Sequence, residues 1–66
     1  MHILINGESR TVEEGSTLDG VLRDYGVAER GVAVAVDGAV VPRASWPDTT
    51  LSRDARIEVL SAVQGG

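Results

Sequence analysis

The chain has 66 residues, ten of them acidic and six basic, for a net charge of −4, and it contains no cysteine. All six basic residues are arginine and His2 is the single histidine, which excludes disulfides, Cys-ligated zinc, lysine-based Schiff bases and any scheme needing two imidazoles, and disfavours a nucleic-acid partner, which needs a basic face. A chain this short holds one domain with about 3–5 kcal/mol of net stability, too little to hollow out a deep ligand pocket of ~300 Å³ or more.

Met1, Ile3 and Ile5 alternate with His2, Leu4 and Asn6, the period-two pattern of a strand. Asn6-Gly7 follows, a strong hairpin signal because both residues tolerate positive φ. Ser9 to Glu13 is the expected returning strand. Ser16 or Thr17 then caps a helix, with Asp19 three residues after Ser16 as in a capping box. Leu18, Val21, Leu22 and Tyr25 fall on one helical stripe. Gly26 suits the left-handed position after the last turn, and Val27 closes an apolar contact over it. A helix this short must lie on a sheet to persist.

Val32 to Val36 alternates valine with alanine and predicts a third, largely buried strand. Asp37-Gly38 marks a turn, and Ala39 to Val41 a short partner strand that Pro42 ends at a sheet edge. Arg43 to Asp54 is expected to be a loop. Arg56 to Val63 is the last strand, with Ile57 and Val59 inward and Glu58 and Leu60 outward. The fold class is therefore α+β: a mixed sheet of four to five strands, one helix across one face, and the first and last strands adjacent in its middle.

Catalytic constellations are weak. Nothing in the sequence sets a serine beside His2, and the pair Glu13-Glu14 precedes a helix whose dipole favours negative charge there. The glycines follow no phosphate-loop spacing. No catalytic residue and no metal site is assigned. The longest uncharged apolar stretch, Gly31 to Val36, is far short of the roughly 20 residues that cross a bilayer. No secretory leader is visible, so no membrane association and a cytoplasmic location are expected.

The end of the sequence is different. Gly65-Gly66 follows a well-patterned strand and caps nothing. Without Cβ atoms these residues make a thin arm able to thread a narrow channel. The expected division is a domain over 1–63 and a flexible tail over 64–66. The tail offers an unhindered carboxylate at Gly66, a poor acyl donor until adenylation supplies AMP as a leaving group. Opposite the helix, Leu4, Ala33, Ala35 and Leu60 are expected to share the other face of the sheet, a candidate docking surface.

These stretches carry a resemblance that spans nearly the whole chain. Ile3-Leu4-Ile5-Asn6-Gly7-Glu8, Gly15-Ser16-Thr17-Leu18, Val32-Ala33-Val34-Ala35-Val36, Val41-Pro42-Arg43, Trp46-Pro47-Asp48-Thr49-Thr50-Leu51, Ile57-Glu58-Val59 and Ala62-Val63-Gln64-Gly65-Gly66 resemble the ubiquitin-like β-grasp sulfur carriers of thiamine biosynthesis. The Val-Pro-Arg and Trp segments are the most specific part. One departure is Asp54-Ala55, where the family usually has Gly-Asp; aspartate tolerates the left-handed turn required there. The resemblance implies a β-grasp fold and a carrier that is not itself an enzyme and binds no cofactor. An E1-like adenylating enzyme would use ATP and Mg²⁺ to activate Gly66, with Gln64 and Gly65 threading its active site. A sulfur donor fed by a cysteine desulfurase would yield a thiocarboxylate, and thiazole synthase would receive the sulfur. The small subunit of molybdopterin synthase and a ubiquitin-like protein modifier are the alternatives.

Overall fold

Residues 1–27 and 30–61 are described by the computed structural model. Strands β1 (His2–Ile5) and β2 (Glu8–Thr11) form the opening hairpin. Asn6 and Gly7 take φ of 51° and 83°, both left-handed, as a tight two-residue turn between twisted strands requires. The returning strand starts one residue earlier and ends two residues sooner than its composition suggests.

Helix α1 (Leu18–Tyr25) follows, and Thr17 is its cap: the Thr17 hydroxyl accepts from the Gly20 N–H at 3.2 Å. Ser16, the other candidate, instead donates its hydroxyl to the Glu13 carbonyl at 2.7 Å. We expect Thr17→Ala to cost about 1 kcal/mol in a urea titration, and Ser16→Ala clearly less; equal losses would contradict this assignment. At the other end Gly26 is left-handed, its N–H meeting the Arg23 carbonyl while Val27 N–H reaches back to Leu22. That pairing satisfies carbonyls the helix would otherwise leave open.

Strand β3 (Val32–Val36) turns through Asp37 and Gly38 into the two-residue β4 (Ala39–Val40). The stretch expected to be a loop contains a 3₁₀ helix, Arg43–Asp48. It exists to bury Trp46, which is 3% exposed and donates its indole N–H to the Val41 carbonyl at 3.0 Å. The chain then crosses back to α1: Leu18 N–H meets the Thr49 carbonyl and Leu51 N–H the Ser16 carbonyl. Asp54 turns left-handed at φ 64°, as expected of aspartate there, and Ala55 is buried behind it.

Strand β5 (Arg56–Ser61) completes the sheet in the order β2-β1-β5-β3-β4. It runs parallel to β1 and antiparallel to β3, so the first and last strands are neighbours and β5 is central. The helices cover one face. Ile3, Ile5, Val34 and Ile57 from the sheet meet Leu18, Val21 and Leu22 from α1, with Trp46, Leu51 and Ala55 closing the edges. No buried polar side chain interrupts this core among the described residues. The wholly apolar interior is what a chain of this size needs, because an unpaired polar group would cost a large share of its small stability.

Candidate functional site

Register and alternation decide which side chains share the outer face. Ile57 pairs with Ile5 and with Val36 on the core side, so Arg56, Glu58 and Leu60 of β5 point the other way. Ala33 lies directly across from Leu60, and Ala35 across from Glu58. On the next strand Ala35 is in register with Val40. Leu60 is 68% exposed and Val40 74%, the two large apolar side chains most open to solvent among the described residues. The small alanines between them leave the sheet low, so a partner can approach the backbone closely. Exposed apolar side chains grouped in this way mark an interaction surface.

The residues expected to share this face are not all together. Ala33, Ala35 and Leu60 form one group at the β3 side of β5. Leu4 lies on the same face but pairs with Arg56 on the other flank of β5. Arg56 is four residues from Leu60, about 13 Å along a strand rising about 3.3 Å per residue. Leu4 is half-buried and lines a separate shallow depression of about 140 Å³ with Gly7, Arg56 and Glu58. Val40 also belongs to the apolar group, though its sequence carries no sign of it. A two-residue strand shows no alternation of its own; its facing is set only by its partner Ala35.

The charged side chains form no reactive centre among the described residues. The described ion pairs, Arg10 with Glu8, Arg23 with Asp19 and Arg53 with Glu14, lie away from the Leu60 group and are solvent-exposed, a setting in which such pairs contribute about 1 kcal/mol or less. Glu14 thus faces Arg53 at 3.0 Å and Glu13 stands apart from it. His2 is exposed at the start of β1. Among the described residues no three His, Cys, Asp or Glu side chains come together as a metal-binding group, and no described helix is long and apolar enough to cross a membrane. Gln64, Gly65 and Gly66 lie outside the described residues. Leu60 is the last side chain described before them.

A family model described as the ThiS family matches residues 3–66. The chain is 38% identical over 64 residues to a sulfur carrier protein ThiS of Thermus thermophilus, covering 97% of this chain and 98% of that protein. It is also 41% identical over all 66 residues to a thiazole synthase of Magnetococcus marinus and 30% identical to one of Paramagnetospirillum magneticum. The chain spans only 20% of the length of each of these two synthases. The crystal structure of a thiamine biosynthesis protein (ThiS) from Geobacter metallireducens superposes with a TM-score of 0.84 at 29% identity, each chain fully covered. A solution structure of a thiamine biosynthesis protein from the same organism gives 0.78 at 29% identity, with 88% of that chain covered.

Proposed function

The chain belongs to the ThiS family of thiamine-biosynthesis sulfur carriers, and from that premise we propose that the carboxylate of Gly66 is the group that takes up the sulfur. The observation that supports this most directly is the reach of the family match, which runs through Gln64 and Gly65 to Gly66. The chemistry follows from the end group. A carboxylate cannot lose oxide, so an E1-like partner using ATP and Mg²⁺ first joins it to AMP with release of pyrophosphate. The terminal sulfur of a persulfide, formed by a desulfurase acting on cysteine, attacks the acyl carbon and expels AMP. A second thiol then cleaves the acyl disulfide, becoming oxidised to a disulfide itself and leaving the thiocarboxylate. Sulfur is a softer and stronger nucleophile than the oxygen it replaces. The protein is a carrier acted upon by enzymes and supplies no catalytic side chain.

Thiazole synthase is the proposed recipient of the sulfur. Two proteins of that name contain a stretch similar to this chain over its whole length, which supports the carrier and the synthase working together. The proposed docking surface is the Ala33, Ala35, Leu60 and Val40 group, with Leu4 as an outlying contact. Leu60 leads into the segment that ends at Gly66, so binding there would hold the reacting group near a partner's active site. We expect Leu60→Glu to weaken binding to the adenylating enzyme at least about tenfold, as truncation of an interface anchor does. Its melting temperature should stay within a few degrees of wild type, because the side chain is exposed. An unfolded variant would show that the face assignment is wrong.

The decisive experiment is intact-mass measurement after incubation with the adenylating enzyme, ATP and a persulfide donor. The expected product is heavier by the difference between one sulfur and one oxygen, located at Gly66. Stable attachment to lysines of other proteins would favour a protein modifier. Sulfur delivery to a pterin precursor and not to thiazole synthase would favour the molybdopterin role.

A further inference from the structure

We propose that Asn6 is a positioning residue for the C-terminal segment, extending the β1 ladder along β5 beyond the point where β1 turns away. At φ 51° the Asn6 backbone has already turned left-handed. Its N–H still donates to the Ile57 carbonyl at 2.8 Å. Its own carbonyl has swung out of the ladder, and the side chain takes over. Oδ1 accepts from the Val59 N–H at 2.8 Å, and Nδ2 donates to the Val59 carbonyl at 3.3 Å. One residue therefore holds β5 at Ile57 and at Val59, across 53 positions of sequence.

The other flank of β5 shows the same device in a simpler form. Asp37, left-handed at φ 50° in the turn after β3, donates its N–H to the Arg56 carbonyl and accepts the Arg56 N–H on Oδ1 at 2.9 Å. There the backbone N–H is the donor, so a carboxylate suffices. At Val59 both the donor and the acceptor must come from a side chain, which an amide provides and a carboxylate does not. Asparagine and aspartate serve the first turn position alike, so the turn alone does not account for asparagine at position 6. The demand for an Nδ2 donor does.

Beyond Val59 the neighbours of β5 in the sheet are on the β3 side, at Ala33 and Val32. Among the described residues Asn6 is thus the last hold on β5 from the β1 side, two residues before Ser61, the end of the strand. The consequence for function rests on the reading of Gly66 as the reacting group. Acyl activation depends on placing that carboxylate to about 1 Å, and the strand that carries it is aimed from both flanks only as far as Asn6 reaches.

The test compares wild type, Asn6→Gly and Asn6→Asp. Glycine keeps the left-handed turn and removes both side-chain bonds; aspartate keeps the turn and the acceptor and removes the donor. Amide hydrogen exchange is followed by NMR, and sulfur loading by intact mass over a range of carrier concentrations. For Asn6→Gly, exchange at Val59 should rise about tenfold relative to the β3 amides, as for a locally opened hydrogen bond. Its kcat as a substrate of the adenylating enzyme should fall several-fold with KM nearly unchanged, because the docking face is intact and the carboxylate is misplaced, and Asn6→Asp should fall between. Exchange rising uniformly across β3 and β5, or Asn6→Gly matching wild type in both readouts, overturns the proposal, because Asn6 then serves only the turn. A wild-type chain that is never loaded removes the sulfur-carrier reading instead, and the exchange comparison still decides whether Asn6 holds the strand end.

Discussion

Removing Gly66 alone is expected to reduce sulfur loading to background, a loss of about a hundredfold or more, since even a misplacement of about 1 Å can cost that much. The deletion draws the carboxylate back by one residue, about 3.5 Å of extended chain. Stability should be untouched. The core runs from Ile3 to Ile57, with Val59 packed against it, so the melting temperature should move by less than about 2 °C, well under the shift that 1 kcal/mol produces in a domain this size. Intact mass and thermal unfolding check the two halves separately. Loading of the shortened chain at the wild-type rate would mean that the reach of the end group is irrelevant. A large fall in melting temperature would mean that Gly66 packs against the domain.

Ile57→Ala is expected to have the opposite profile. Ile57 is 1% exposed and sits between Ile5 and Val36 in the centre of the sheet. Truncating a buried isoleucine costs about 2–5 kcal/mol, against a total of about 3–5 kcal/mol for a core of this size. The variant should be largely unfolded at room temperature, seen as exposure of the buried Trp46 in fluorescence and loss of the urea transition. Ile57→Val, which keeps most of the volume, should cost about 0.5–1.5 kcal/mol and remain folded. A normal urea midpoint for Ile57→Ala would mean that β5 is not the strand that closes the core. Leu60, three residues along the same strand, should tolerate truncation.

Much of this architecture was legible because its signals are local. Asn6-Gly7 and Asp37-Gly38 each pair two residues that accept positive φ, and both adopt it. Val32 to Val36 reads as a strand from its alternation and is one, but not the largely buried strand expected: Val34 alone is buried and its flanking residues are half-buried or exposed, because the helices cover only one face of the sheet. The helix stripe is buried at Leu18, Val21 and Leu22 as its spacing required, whereas Tyr25, the fourth residue expected on it, is only half-buried. What was missed depends on contacts from elsewhere. The 3₁₀ helix around Trp46 has no periodicity to detect, and Pro42 and Pro47 read as loop punctuation. Its form is dictated by the indole reaching Val41 and the core. The choice of Thr17 over Ser16 as the cap turns on a slip of one residue, because Leu51 and Thr49 fix where the helix begins. At the candidate site, Ala33, Ala35 and Leu60 were readable from alternation, whereas Val40 needed its register with Ala35 and Asn6 needed Val59 beside it.

The central place of β5 also governs how the molecule comes into being. Each hairpin, β1 with β2 and β3 with β4, can close from neighbouring residues, yet neither has a sheet to join until β5 lies between them. A nascent polypeptide emerging from the ribosome must therefore wait for β5 before the two hairpins can join into one sheet. Topologies that depend on such remote pairings acquire their native state more slowly than helical bundles of similar length, so synthesis interrupted before Arg56 should release a chain with exposed strand edges, a substrate for chaperones and proteases.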